Sequence, residues 1–170
     1  MMKQQEVQTL ETYRSVLYLY PIAQSDLNYR IPFGAIVTAV TAADLGVTSL
    51  SDLLSGRRCF SRIDVATAEG DMLSSEVDKV EVSVIPRREV GGLTRSVRLK
   101  FDVLNRHSWS EKMLDDLLNV VQDFVLVYDD GASYLLRTSD TGVSCNLTYR
   151  DNGASVDLEM VTPNGLLPIV

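Results

Sequence analysis

Asp140-Thr141-Gly142 has the residue types of a loop that, supplied twice, lets two carboxyl groups share one proton. That is the chemistry of a homodimeric aspartic protease, and a chain of 170 residues has the size for it. The surroundings do not follow the pattern. Arg137-Thr138-Ser139 precede the triplet where an apolar strand end is needed, and Gly165 follows Pro163 and Asn164 instead of two apolar residues. A glycine-containing turn between strands accounts for the same residues. Tyr128-Asp129-Asp130 between apolar runs has the form of a hairpin that holds two metal ions for phosphoryl transfer. Asp-Asp-Gly is equally a favoured hairpin turn, because these residues tolerate positive φ. The turn is the better account of Asp129-Asp130-Gly131.

The remaining candidates carry less. His107 is the single histidine and has no Ser or Cys at a recognisable spacing, so two-histidine metal ligation within one chain is excluded. Cys59 and Cys145 are distant and flanked by apolar residues, which predicts two small buried thiols in a reducing compartment. Asn146-Leu147-Thr148 fits a glycosylation sequon but falls in a predicted strand. Gly91-Gly92 is not followed by a helix and so builds no phosphate cradle. Tyr13, Tyr18, Tyr20 and Tyr29 are better explained by packing than by base stacking. The sequence thus predicts no catalytic residue, no metal ligand and no cofactor.

Charge narrows the partners. The net charge of -7 is confined to the last third of the chain, since the first 106 residues balance. Net acidity argues against gripping nucleic acid along its phosphates. Before the acidic third lies a basic cluster of Arg87, Arg88, Arg95, Arg98, Lys100 and Arg106. Blocks of opposite sign on different parts of one surface favour head-to-tail self-association, and two ordinary solvated faces account for them equally well. No apolar run approaches the roughly 20 residues that span a bilayer, and the polar start Met1-Met2-Lys3-Gln4-Gln5 predicts no secretory leader.

The elements that must position these residues are mostly strands. Val80, Val82 and Val84 alternate with polar residues, as do Val97, Leu99, Phe101 and Val103, which predicts half-buried antiparallel strands. Residues 86–96 between them contain Pro86 and Gly91-Gly92 and predict a long projecting hairpin loop. Ser108 and Glu111 have capping-box spacing, and Met113, Leu114, Leu117, Leu118 and Val121 follow at helical spacing. This predicts one amphipathic helix near 109–121 packed on a sheet. Further strands are predicted at Val16–Tyr20 (ended by Pro21), Phe124–Tyr128, Tyr134–Arg137, Val143–Tyr149 and Val156–Met160. Leu50–Leu54 predicts a helical turn stopped by Gly56. Residues 24–75 show weak periodicity and predict irregular connections with strands near Ala35–Val40 and Arg58–Val65. The expected organisation is an N-terminal arm, 1–12, and a single β-rich domain, 13–170. The expected fold is mainly β, an antiparallel sandwich or barrel with one packed helix.

The order strand, long hairpin, strand, helix, hairpin and closing strands resembles tail-tube and neck proteins of tailed bacteriophages. The segment Asp123-Phe124-Val125-Leu126-Val127-Tyr128-Asp129-Asp130-Gly131-Ala132-Ser133-Tyr134-Leu135-Leu136, then Ser139-Asp140-Thr141-Gly142, carries the resemblance over about the last 70 residues. It implies a tail-tube-like fold and a non-enzymatic structural subunit whose copies join their sheets into a ring. It also implies other phage tail or neck proteins as partners, a virion location and assembly in the host cytoplasm. DNA would pass an acidic channel without specific binding, and no membrane is involved. Subunit contacts would come from the arm Met1–Glu11 and from Arg87, Arg88, Glu89, Val90, Gly91, Gly92, Leu93, Thr94 and Arg95. The runner-up is a monomeric receptor- or glycan-binding β-sandwich, with the homodimeric protease third.

Overall fold

Period-two alternation becomes two antiparallel sheets in the computed structural model, which describes residues 15–32, 34–62, 65–66, 72–73, 77–89, 92–104, 108–120, 122–138 and 143–170. The first part of the chain runs β1 (Val16–Ala23), 3-10 turns at Gln24–Asp26 and Ala43–Leu45, and α1 (Leu50–Leu54). Short strands β2 (Phe60–Ser61), β3 (Val65–Ala66) and β4 (Met72–Leu73) follow. Next come β5 (Val77–Glu89), β6 (Gly92–Val103) and α2 (Ser108–Asn119). The chain closes with β7 (Gln122–Tyr128), β8 (Ser133–Leu136), β9 (Ser144–Arg150), β10 (Gly153–Thr162) and β11 (Leu166–Pro168). One sheet has five strands in the order β11-β8-β7-β1-β2, the other four in the order β5-β6-β10-β9; β3 and β4 pair separately. The fold is mainly β with one substantial helix, as the alternation predicts.

The inward residues of the two large sheets share one core. Val97, Leu99, Phe101 and Val103 of β6 and Val156, Leu158 and Met160 of β10 pack with Leu19, Phe124, Leu126 and Leu136 of the other sheet. Phe60 of β2 meets Phe101 of β6 with ring centroids 5.2 Å apart, tying sheet to sheet. Leu114 and Leu117, one turn apart on α2, enter the same core, which is how the amphipathic stripe is buried. Each such side chain contributes about 1.5–3 kcal/mol by leaving water.

A second core lies on the opposite face of the five-stranded sheet. Ile22, Val125, Leu135 and Leu167 meet Ile31, Val40, Leu45 and Leu53 from the segment between β1 and β2. That segment is a covering layer of irregular backbone and α1, so the five-stranded sheet is buried on both faces. This is why Phe124–Leu126 reads as a continuous apolar run instead of alternating. Gly46 ends the 3-10 turn at φ +79°, with its Cα against the backbone of Asn28, so the layer closes only where no side chain intrudes.

Several expectations are corrected. Residues 86–96 are not a long loop: β5 and β6 stay paired through Arg87↔Thr94, Arg88↔Leu93 and Glu89↔Gly92. Pro86 is tolerated because β5 is an edge strand, where a missing amide hydrogen need not break a ladder. Pro21 does not end β1 either, and is paired with Phe124. Opposite β7, β1 is flanked among the described residues only by β2, whose partners are Tyr18 and Leu19, so Pro21 lies beyond it. Ala35–Val40 is not a strand; only Val40 forms a bridge, to Ile169. Within Arg58–Val65 the pairing among the described residues is limited to Phe60–Ser61 and the start of β3. Asp151-Asn152 close the β9–β10 hairpin through the pair Gly153↔Arg150. The expected arm, 1–12, lies outside the described residues.

Candidate functional site

The two sheets treat their edges differently. In the five-stranded sheet one edge, β2, has two residues, and the other, β11, has three and is continued by the Val40–Ile169 bridge. In the four-stranded sheet both edges are long, 13 residues in β5 and 7 in β9. Among the described residues β5 pairs only with β6 and β9 only with β10. Unpaired edges of this length invite another strand unless they are blunted. β5 carries two interruptions. Between Asp78 and Glu81 the register slips by one residue, a bulge in which Lys79 takes φ +52°, and Pro86 removes a donor further on. The stretch from Glu81 to Ile85 between them is uninterrupted.

The residues expected to make contacts sit on a projecting ribbon. β10 last pairs with β6 at Thr162↔Arg95, while β5 and β6 continue for three more rungs. At about 3.4 Å per residue the ribbon extends about 10 Å past its neighbour. The rung Glu89↔Gly92 leaves only Val90 and Gly91 to close it, and these two lie outside the described residues. Arg87 and Arg88 are exposed and make no ion pair with any described residue. Leu93, opposite Arg88, is 52% exposed. Arg95 instead braces the ribbon's root, where its Nη1 donates to the carbonyl of Pro163 at 2.7 Å. Arg87, Arg88, Leu93, Thr94 and Arg95 thus share one protrusion.

The rest of the basic cluster is used differently. Arg98 lies beside Asp157 across the β6–β10 ladder and donates twice to its carboxylate, at 3.0 and 2.6 Å. Those bonds hold the Asp157 carboxyl below the usual carboxylate range, with burial opposing them, and raise Arg98 further. The acidic and basic blocks therefore neutralise each other in part within one sheet, and are not wholly separate faces. Other acids lie on the helix. Glu111, Asp115 and Leu118 recur at helical spacing on the exposed side of α2, with Leu118 50% exposed. Lys112 pairs with Asp116 at 3.3 Å, and no basic residue occupies the last turn. Acids in the last turn oppose the helix dipole, at about 0.3–1 kcal/mol each. Tyr149 of β9 donates to Asp115 Oδ1 at 3.4 Å, which places this acidic face beside the β9 edge.

The residues considered for chemistry do structural work where they are described. Asp129 accepts from the amide and the hydroxyl of Ser15, and Asp130 from the amide of Ala132, as turn residues. Burial pushes the Cys59 thiol up to about 11, with a hydrogen bond from Tyr20 acting the other way; Cys145 is also raised, first by burial and then by Asp157. Both thiols are free. Asp140-Thr141-Gly142 and His107 lie outside the described residues, and Asn146 is exposed on the β9 edge. Among the described residues no group of three His, Cys, Asp or Glu side chains could hold a metal ion, and no helix is long and apolar enough to cross a membrane.

One polar cluster escaped the sequence reading. Asp123 is 0% exposed and accepts from the Tyr29 hydroxyl at 2.5 Å; the Thr138 hydroxyl lies 3.1 Å from its other oxygen and also reaches the carbonyl of Gln122. The buried Arg137 guanidinium stacks 4.3 Å from the centre of the Tyr29 ring and donates to the carbonyl of Ile31 at 2.9 Å. The available signal was positional: Asp123 opens one apolar strand and Arg137 closes the next. These groups pin residues 29–32 onto the sheet, beside a cleft of about 470 Å³ lined by Gln24, Asn28, Tyr29 and Arg137. Comparison with known proteins finds no matching family model, no matching curated protein and no matching solved structure.

Proposed function

We propose that the protein is a structural subunit of a tailed-bacteriophage virion, in the tail, neck or tube, whose copies form a ring around the DNA channel. The supporting observation is the pair of long open edges, β5 and β9, at opposite sides of one four-stranded sheet. Joining β5 of one copy to β9 of the next would complete both ladders through a neighbour's backbone. Such a contact is head-to-tail, and it closes into a ring when the rotation per copy divides a full turn. The product of such a protein is a shape, with DNA passing through it unbound, and virion assembly takes place in the host cytoplasm.

Light scattering and negative-stain microscopy of the full chain test the reading. Rings or tubes are the expected result; a strictly monomeric species at high concentration overturns it. A monomeric receptor- or glycan-binding module is the competing reading, favoured by the cleft beside Tyr29 and Arg137. Its signature is a monomer that binds a glycan array and loses binding when Arg30, on the cleft's rim, is changed to Ala.

A further inference from the structure

Charge and shape converge on the cleft of about 470 Å³ beside Tyr29. Its volume lies in the range of about 300–1,000 Å³ that small-molecule sites occupy. Two of its lining residues are arginines and none is an acid. Arg137 belongs to the floor. Its buried guanidinium is fixed by the Tyr29 ring and by the carbonyls of Ile31 and Pro32, at 2.9 and 3.4 Å. Arg30 stands on the rim, exposed and without an ion pair to any described residue.

The neighbouring acids are committed elsewhere. Asp123 is fully buried, accepts from Tyr29 and Thr138, and does not line the cleft. Asp26 pairs with Arg57 at 3.5 Å, and Asp44 accepts from the amide of Thr41 at 2.9 Å. Among the described residues, the charged groups that line the opening are therefore all cations. Their pull on an anion is stronger beside low-dielectric protein than in open water. The other groups are of two kinds. Gln24 and Asn28 offer side-chain amides that both donate and accept, and Leu27 and the Tyr29 ring offer apolar wall.

We infer that this cleft binds a small hydroxylated carboxylate, of the chemical class of a sugar acid. Arg30 receives the carboxylate, because its planar fork of N–H donors matches two carboxylate oxygens. Arg137 adds its positive field from the floor, and the amides of Gln24 and Asn28 take the hydroxyl groups. The inference rests on the reading of this cleft as a binding site and adds the class of its ligand. It does not require a monomer. The cleft uses neither β5 nor β9, so joining copies through those edges neither needs it nor consumes it.

Three probes separate the features of the ligand: glucuronate carries both carboxylate and hydroxyls, glucose only hydroxyls, and acetate only the carboxylate. Saturation-transfer NMR observes the ligand, so it works on the full chain whether single or assembled. Glucuronate is expected to bind with a dissociation constant of about 1 mM, and glucose and acetate at least about tenfold more weakly. Arg30→Gln should weaken glucuronate about tenfold and Arg30→Lys should keep most of the affinity, with circular dichroism unchanged because the side chain is exposed. If glucose binds as tightly as glucuronate, or if Arg30→Gln has no effect, the carboxylate assignment is wrong while the cleft remains a site for neutral sugars. Acetate binding as tightly as glucuronate means an unselective anion site and overturns the sugar-acid class. No saturable signal from any probe overturns the inference and leaves the ring reading untouched.

Discussion

The cluster around Asp123 makes the sharpest energetic prediction. Its carboxyl group is fully buried and accepts the Tyr29 hydroxyl, which joins the covering layer to the five-stranded sheet. Asp123→Ala leaves the Tyr29 hydroxyl without that acceptor, at about 1–3 kcal/mol, and adds the loss of a well-packed side chain. Thr138 keeps its bond to the carbonyl of Gln122 and adds little. A total of about 3 kcal/mol is expected in urea unfolding followed by circular dichroism. Tyr29→Phe removes the donor alone and is expected to cost about 1.5 kcal/mol. Because the two changes break the same bond, the double variant should fall short of their sum by about 1 kcal/mol or more. Trypsin should also cut faster after Arg30 in the Asp123 variant, since residues 29–32 are then less firmly held. Additive costs, or a loss below about 1 kcal/mol for Asp123→Ala, would refute the claim that this bond anchors the layer.

Three further outcomes follow from individual side chains. With its thiol held up to about 11 instead of 9.0, Cys59 has about a hundredfold less thiolate at pH 8, so iodoacetamide should label it quickly only after unfolding. The stability this raised thiol contributes is complete below its unfolded value of 9.0 and fades as pH climbs toward 11. Asp157 has the opposite sign: its depressed carboxyl stabilises the fold above the unfolded value of about 3.9, and that contribution is lost as pH falls through the folded one. Asp157→Asn should therefore flatten the acid limb of the stability profile measured by thermal melting. Gly46→Ala forces a side chain into the left-handed region and against the backbone of Asn28, with a loss of about 2 kcal/mol or more expected in urea.

What the sequence shows well is whatever has one wet face and one dry face. β6, β9 and β10 alternate because their inner residues meet the shared core and their outer residues meet water, and all three lie where the alternation predicts. The helix was legible for the same reason, from Leu114 and Leu117. The apolar run from Phe124 was recognised as a strand, but its double burial depended on residues 24–57, whose apolar side chains come from irregular backbone with no period to detect. The ribbon was misread because Pro86 and Gly91-Gly92 usually mark loops. Only the position of β5 at an edge permits that proline, and strand order is a tertiary fact. The contact surfaces were half legible. Arg87, Arg88 and Arg95 stood out as a cluster, yet nothing local shows that Arg98 is consumed by Asp157 while Arg88 faces solvent.

The bulge at Lys79 and the proline at position 86 act together as a gauge. They leave an accessible rail of five residues, Glu81 to Ile85, about 17 Å at ~3.3 Å per residue. The opposite border of the sheet, β9, is seven residues long. A strand no longer than the rail seats fully, whereas the whole of a strand as long as β9 meets the kink at one end or loses a donor at the other. Any strand added at this edge is thereby limited in length, which counts against open-ended fibrous growth there.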